Sequence, residues 1–158
     1  MSRIHSIFLL AALAGCGFHL QGVATTAAEM QRTYISTADE FSLFYRELRR
    51  NLQAAGVEVL DAPTDATATL TILYDYTDQR VLSVSARNEP TEFEVFYIVR
   101  YTVTSGEKSL LEPQELTLTR DYTYDATLVL GKAKEEQLMR DAIVGDLVRI
   151  VMKQISAI

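Results

Sequence analysis

Phe93-Glu94-Val95-Phe96-Tyr97-Ile98-Val99-Arg100-Tyr101-Thr102-Val103 is the stretch on which the fold turns. Phe93, Val95, Tyr97, Val99, Tyr101 and Val103 occupy every second position, and Glu92, Glu94, Arg100 and Thr102 fall between them. A period of two sends one set to a buried sheet face and the other set to the opposite face. Phe96 and Ile98 interrupt the polar set, so the middle of that second face is expected to be partly covered.

The same period appears on both sides of this strand. In residues 68–80, Leu70, Ile72, Tyr74 and Tyr76 are expected on one face, with Thr69, Thr71, Asp75 and Thr77 on the other. Residues 81–86 continue the strand past a kink, and Arg87-Asn88-Glu89-Pro90 reads as a turn. Downstream, Ser105-Gly106-Glu107-Lys108 turns the chain. Leu116, Leu118, Tyr122 and Tyr124 then alternate with Thr117, Thr119, Asp121 and Thr123. Three consecutive strands joined by tight turns predict an antiparallel meander.

Further out, the period changes to that of a helix. Phe41, Phe44, Tyr45, Leu48, Leu52 and Ala55 form one apolar stripe, with Arg46, Glu47, Arg49, Arg50 and Gln53 on the other side. Thr37 and Glu40 have capping-box spacing, and Gly56 stands where a C′ glycine belongs. Short extended pieces flank this helix at residues 32–35 and 57–60, and could complete a right-handed crossover with it. A last helix is expected over residues 133–156. It buries Val144, Leu147, Val148, Val151 and Ile155, flanked by Ile143 and Ile150, and exposes Asp141, Gly145, Arg149 and Lys153. The sum is an α+β fold: two helices packed on a mostly antiparallel, about four-stranded sheet, a two-layer sandwich.

A chain of 158 residues is one domain. Fifteen bases against 21 acids give a net charge of −6, which argues against a nucleic-acid partner. One cysteine excludes an internal disulfide and any Cys-rich zinc site, and two histidines leave little for metal or acid–base chemistry. Nucleophile-elbow, zinc-helix, P-loop and dinucleotide motifs are all missing from the sequence, so no enzyme, metal or cofactor is expected. Glu92 and Glu94 read as a solvated strand face rather than a glycosidase pair. Glu135 and Glu136 read as first-turn carboxylates favoured by the helix dipole.

The basic residues say more. Lys132 and Lys134 open the last helix, where the dipole disfavours cations and where anions bind. Arg87 sits at a turn tip, with Arg80 at the other end of that segment. Ordinary solvated charges would account for them; the sharper reading is an anion site at one end of the molecule, built from Arg87, Lys132 and Lys134. Tyr74, Tyr76, Tyr97, Tyr101, Tyr122 and Tyr124 fall on three successive strands and are expected to be core or half-buried packing, with some free for a partner.

The N-terminus reads separately. Arg3 precedes a short apolar run at residues 7–14, the form of a secretory signal and too short to span a bilayer. Leu13-Ala14-Gly15-Cys16 resembles the lipobox of bacterial lipoproteins. The resemblance implies that residues 1–15 are removed and that Cys16 carries the acyl chains, palmitate among them, that anchor the protein. Gly17, in place of the aspartate that retains lipoproteins at the inner membrane, implies the outer membrane, with the protein on its periplasmic side. Residues 16–28 then form a lipidated start and tether, and 29–158 a single domain.

Gly15-Cys16-Gly17-Phe18-His19-Leu20 is similar to the start of the LptE family of LPS-assembly lipoproteins. The order of elements agrees, from the helix ending at Gly56-Val57-Glu58 to the segment Gly131-Lys132-Ala133-Lys134-Glu135-Glu136-Gln137. That resemblance implies a plug inside an LptD-type β-barrel, support for barrel assembly, and insertion of lipopolysaccharide into the outer leaflet with the barrel. It also implies local lipopolysaccharide binding, with Arg87 and Lys134 at the positions of the family's basic residues; Lys132 is added on charge alone. The acidic balance requires such binding to be local, because bulk charge repels a phosphorylated lipid. The alternative is a periplasmic adaptor or accessory lipoprotein of another envelope transport complex.

Overall fold

The computed structural model describes residues 28–124 and 129–158, the side chains of 129–133 excepted. The readings of the signal peptide, of Cys16 and of the tether up to residue 27 lie outside the described residues. A short turn at Ala28–Met30 leads into β1 (Arg32–Ser36), α1 (Leu43–Ala54) and β2 (Glu58–Leu60). A turn at Pro63–Asp65 precedes β3 (Ala68–Val84), β4 (Pro90–Ser105), β5 (Lys108–Thr123) and α2 (Val129–Ile155).

The expected meander is present: β3, β4 and β5 pair antiparallel through long registers. The sheet as a whole has five strands in the order β2-β1-β3-β4-β5. It is mixed, because β1 pairs parallel with both β2 and β3. The parallel β1–β2 pair is the one the expected crossover through α1 requires; the expectation of about four mostly antiparallel strands differs by one strand and by the parallel pairing of β1 with β3. Side-chain period reports which face a residue takes and not which way its neighbour runs.

The larger correction lies in β3. Ile72 pairs with Tyr101 and Tyr74 with Arg100, so Leu73 is an extra residue, a β-bulge. One inserted residue exchanges the two faces for everything after it. Leu70 and Ile72 stay in the core, whereas Tyr74 and Tyr76 emerge on the open face, 44% and 42% exposed. Asp75, Thr77 and Gln79 turn inward opposite Val99, Tyr97 and Val95. On β4 the alternation holds without a break: Phe93, Val95, Tyr97, Val99, Tyr101 and Val103 are all buried.

α1 begins later than the capping-box spacing predicts. Thr37 Oγ1 accepts the Asp39 N–H at 3.2 Å, and Asp39 Oδ1 accepts the Phe41 N–H at 2.8 Å. These turns use up the early polar residues and leave Phe41 outside the helix, 87% exposed. The N-cap is Ser42, whose Oγ accepts the Tyr45 N–H at 3.0 Å. At the other end Gly56 is left-handed (φ +85°), with Val57 N–H on Leu52 O and Gly56 N–H on Gln53 O, both at 3.0 Å. That is the glycine-closed C-terminus the sequence predicts.

α2 starts at Val129, so Glu135 and Glu136 lie in its second turn and not in its first. Ile143, Val144, Leu147, Val148, Val151 and Ile155 are buried, as the stripe predicts. They join Phe44, Leu48 and Leu52 of α1 and the inward row of β4 in one hydrophobic core. Tyr97 and Tyr101 are among its largest members, and burial pushes the Tyr101 phenol up to about 12. No helix among the described residues is long and apolar enough to cross a membrane.

Candidate functional site

β3 and β4 run well past β1, β2 and α1, and their far end is built by a tight turn. Ser85 organises it: its N–H donates to Glu89 O at 2.8 Å, and its carbonyl accepts the Asn88 N–H at 2.9 Å. Ser85 Oγ accepts the Arg87 and Glu89 N–H groups at 3.2 and 3.3 Å. Asn88 takes the left-handed conformation (φ +62°), which asparagine tolerates better than most residues. Arg87 is thereby held on the outside of the turn with its side chain 87% exposed, 4.0 Å from Glu89.

The same end receives the start of α2. Thr123 pairs with Glu92, and the Tyr124 N–H donates to Thr91 O at 2.8 Å, so β5 ends beside this turn. Val129 opens α2 five residues later. Lys134, in the second turn of α2, is exposed. Lys132 lies in the first turn, and its side chain is outside the described residues. Topology therefore brings Arg87, Lys132 and Lys134 to one end. Arg80 does not join them, being ion-paired to Glu94 with its guanidinium 5.7 Å from the Phe96 ring centre.

Carboxylates complete the picture of this end. The Glu94 side chain is only 12% exposed, so it is a half-buried partner of Arg80 rather than a solvated acid. Glu92 accepts the Ser83 hydroxyl at 2.8 Å. A small pocket of about 190 Å³ is lined by Leu82, Glu92, Asp121, Tyr122 and Thr123. Two acids make that pocket unsuited to an anion, so any anion must meet the exposed bases and not the pocket.

The first half of α2 meets the sheet through Arg140, beside Met139, which packs against the core. Arg140, 18% exposed, donates to Glu136 at 2.8 Å and to Thr77 on β3. Tyr122 OH donates to Gln79 at 3.0 Å and Tyr97 OH to Asp75 at 2.7 Å. Burial, and then the bond to Asp75, push the Tyr97 phenol upward. The bulge at Leu73 supplies this row, because it turns Asp75, Thr77 and Gln79 toward the helices. Arg140 is the residue that sequence reasoning missed: Glu136–Arg140 has ion-pair spacing on a helix, but Thr77 is 63 residues away.

The open sheet face carries an aromatic row. Tyr74 and Tyr76 have ring centres 6.1 Å apart, and Tyr76 and Phe96 6.0 Å. Tyr76 OH donates to Asp78 at 2.8 Å. The Gln79 N–H, and then Tyr76, hold the Asp78 carboxyl below its usual range.

Residues 30–155 match the family model LptE, Lipopolysaccharide-assembly. The LPS-assembly lipoprotein LptE of Pectobacterium atrosepticum is 23% identical over 128 residues, which are 80% of this chain and 69% of that protein. The protein of the same name from Yersinia enterocolitica is 25% identical, over 80% of this chain and 61% of its own length. That of Photorhabdus laumondii is 22% identical, over 90% of this chain and 78% of its own. Among solved structures, the lipoprotein B of Nitrosomonas europaea has a TM-score of 0.74 at 26% identity, covering 89% of this chain and 91% of its own. The rare lipoprotein B of Shewanella oneidensis has a TM-score of 0.69 at 23% identity, covering 80% and 94%.

Proposed function

The chain belongs to the LptE family of lipopolysaccharide-assembly proteins, and from that membership we propose that it is a non-enzymatic lipoprotein of the outer membrane. Residues 1–15 are its signal peptide, Cys16 its lipidated anchor and 16–28 its tether, and the domain 29–158 faces the periplasmic side. The domain plugs an LptD-type β-barrel, supports the assembly of that barrel, and acts with it to insert lipopolysaccharide into the outer leaflet. Arg87 and Lys134, with Lys132 beside them, contact the anionic groups of the lipid.

The observation that carries this reading is the separation of the two ends. The tether enters at the end where Arg32 stands beside Glu58. Arg87 lies beyond the opposite end of β3, a 17-residue strand. At about 3.3 Å per residue that is about 55 Å, more than the roughly 30 Å of a bilayer's hydrocarbon core. A domain tethered at the inner leaflet and seated in a barrel lumen would therefore carry its basic end to the level of the outer leaflet. The rigid two-layer core supports the role of a plug.

The experiment joins charge reversal to capture. R87E/K134E is expected to weaken lipopolysaccharide binding at least fivefold with an unchanged far-ultraviolet circular dichroism spectrum. The lipidated protein, extracted in mild detergent, is expected to bring down a large outer-membrane β-barrel. Unchanged lipopolysaccharide binding removes the basic site from the reading, and failure to capture a barrel removes the plug.

A further inference from the structure

A second cationic site lies far from Arg87, on the outer face of α1. Arg46, Arg49, Arg50 and Gln53 line an open pocket of about 400 Å³. Their spacing of three and four residues puts all four on one helical face. Arg49 is held in place: it donates to Asp61 at 2.8 Å and to Tyr45 OH at 2.9 Å, and the bond to Asp61, then that to Tyr45, raise its already high pKa. Arg50 pairs with Glu47 at 2.6 Å while 71% exposed. Arg46 reaches only the carbonyl of Ser42, at 3.4 Å, and meets no carboxylate among the described residues. Three guanidiniums against two carboxylates leave the patch positive in a chain whose net charge is −6.

We propose that this pocket is a phosphate site that takes the headgroup of an anionic phospholipid. Guanidinium forks match phosphate oxygens in pairs, and Gln53 adds an amide donor at the rim. Position supplies the source of the phosphate. α1 descends from Leu43 to Ala54 and, through Gly56, reaches β2, whose Glu58 pairs with Arg32 at the end where the tether enters. The patch thus sits at the end nearest the membrane anchor, where basic side chains are drawn to an anionic surface. The phosphate assignment stands on the four side chains; the lipid as its source rests on the proposed anchor at Cys16.

The test follows the arginine Nε–Hε resonances of the full chain in neutral detergent micelles. Phosphatidylglycerol is titrated into the micelles in one series and inorganic phosphate into the buffer in another. Mass spectrometry of Cys16 reads the anchor separately, so a failed anchor and a failed site are distinguishable. Phosphatidylglycerol is expected to shift Arg46, Arg49 and Arg50 saturably. R46Q/R50Q, which alters exposed residues only, is expected to weaken that response at least fivefold, whereas R87E leaves it unchanged. Saturation by inorganic phosphate and not by phosphatidylglycerol overturns the headgroup assignment. No saturable shift in either series, or an undiminished response in R46Q/R50Q, overturns the site.

Discussion

Asp146 is where two guanidiniums converge. Arg120 of β5 reaches its carboxylate at 2.7 Å, and Arg149, one turn further along α2, bonds its second oxygen. The bond from Arg120, and then that from Arg149, hold this carboxyl below the usual aspartate range. A carboxyl whose pKa is lower folded than unfolded contributes stability above the unfolded value, near 4. That contribution disappears as pH falls through the folded value. Asp146→Asn is therefore expected to lower the urea midpoint at pH 7 and to narrow the difference between pH 7 and pH 3. The site is partly exposed, so the loss should stay within about 1 kcal/mol. Urea unfolding at a series of pH values checks it; an equal loss at both pH values would show that the ion pairs are not its source.

The caps of α1 make a second test, at the scale of the element. Ser42→Ala removes the oxygen that accepts the Tyr45 N–H and is expected to cost about 1 kcal/mol in denaturant unfolding. Thr37→Ala leaves that cap intact and should cost less. The comparison also explains what could be read from sequence. The body of α1 was legible because its stripe and Gly56 agree, but Thr37, Asp39 and Ser42 are three cap-forming residues within six positions. Only the local turns decide among them. β4 was legible throughout because no extra residue interrupts its inward row, Phe93 to Val103. β3 was legible as a strand but not in its faces, since a bulge changes the phase without leaving a mark in composition. The parallel pairing of β1 with β2 was legible in the crossover through α1; that of β1 with β3 was hidden, because a strand of five residues carries too few positions to mark its other neighbour.

Across the whole molecule, α2 runs from a mostly exposed, polar first half to an apolar second half. From Ile143 onward, α2 is fixed by six buried apolar side chains. Above it, Arg140, paired with Glu136 of its own helix, reaches Thr77 on β3 beside the packed Met139, while Lys134, Glu135, Gln137 and Leu138 are exposed. Arg87 and Lys134 could be proposed from sequence because charge and turn position mark them. The contact that seats Lys134 could not, because it joins residues distant in the chain through a strand whose phase had been reversed. Removing Arg140 leaves both partners provided for: Thr77 Oγ1 still donates to Phe96 O at 2.9 Å, and Glu136 can turn to water. Arg140→Ala should therefore cost little global stability yet release the upper half of the helix. Amide hydrogen exchange over residues 134–142 is expected to quicken at least tenfold, with residues 143–155 unchanged. On the proposed basic site, lipopolysaccharide binding should weaken at the same time, because the turn of α2 that carries Lys134 is released. Equal loss of protection along all of α2 would mean that the helix opens as one unit and that its polar half is not a separate seat for the basic end.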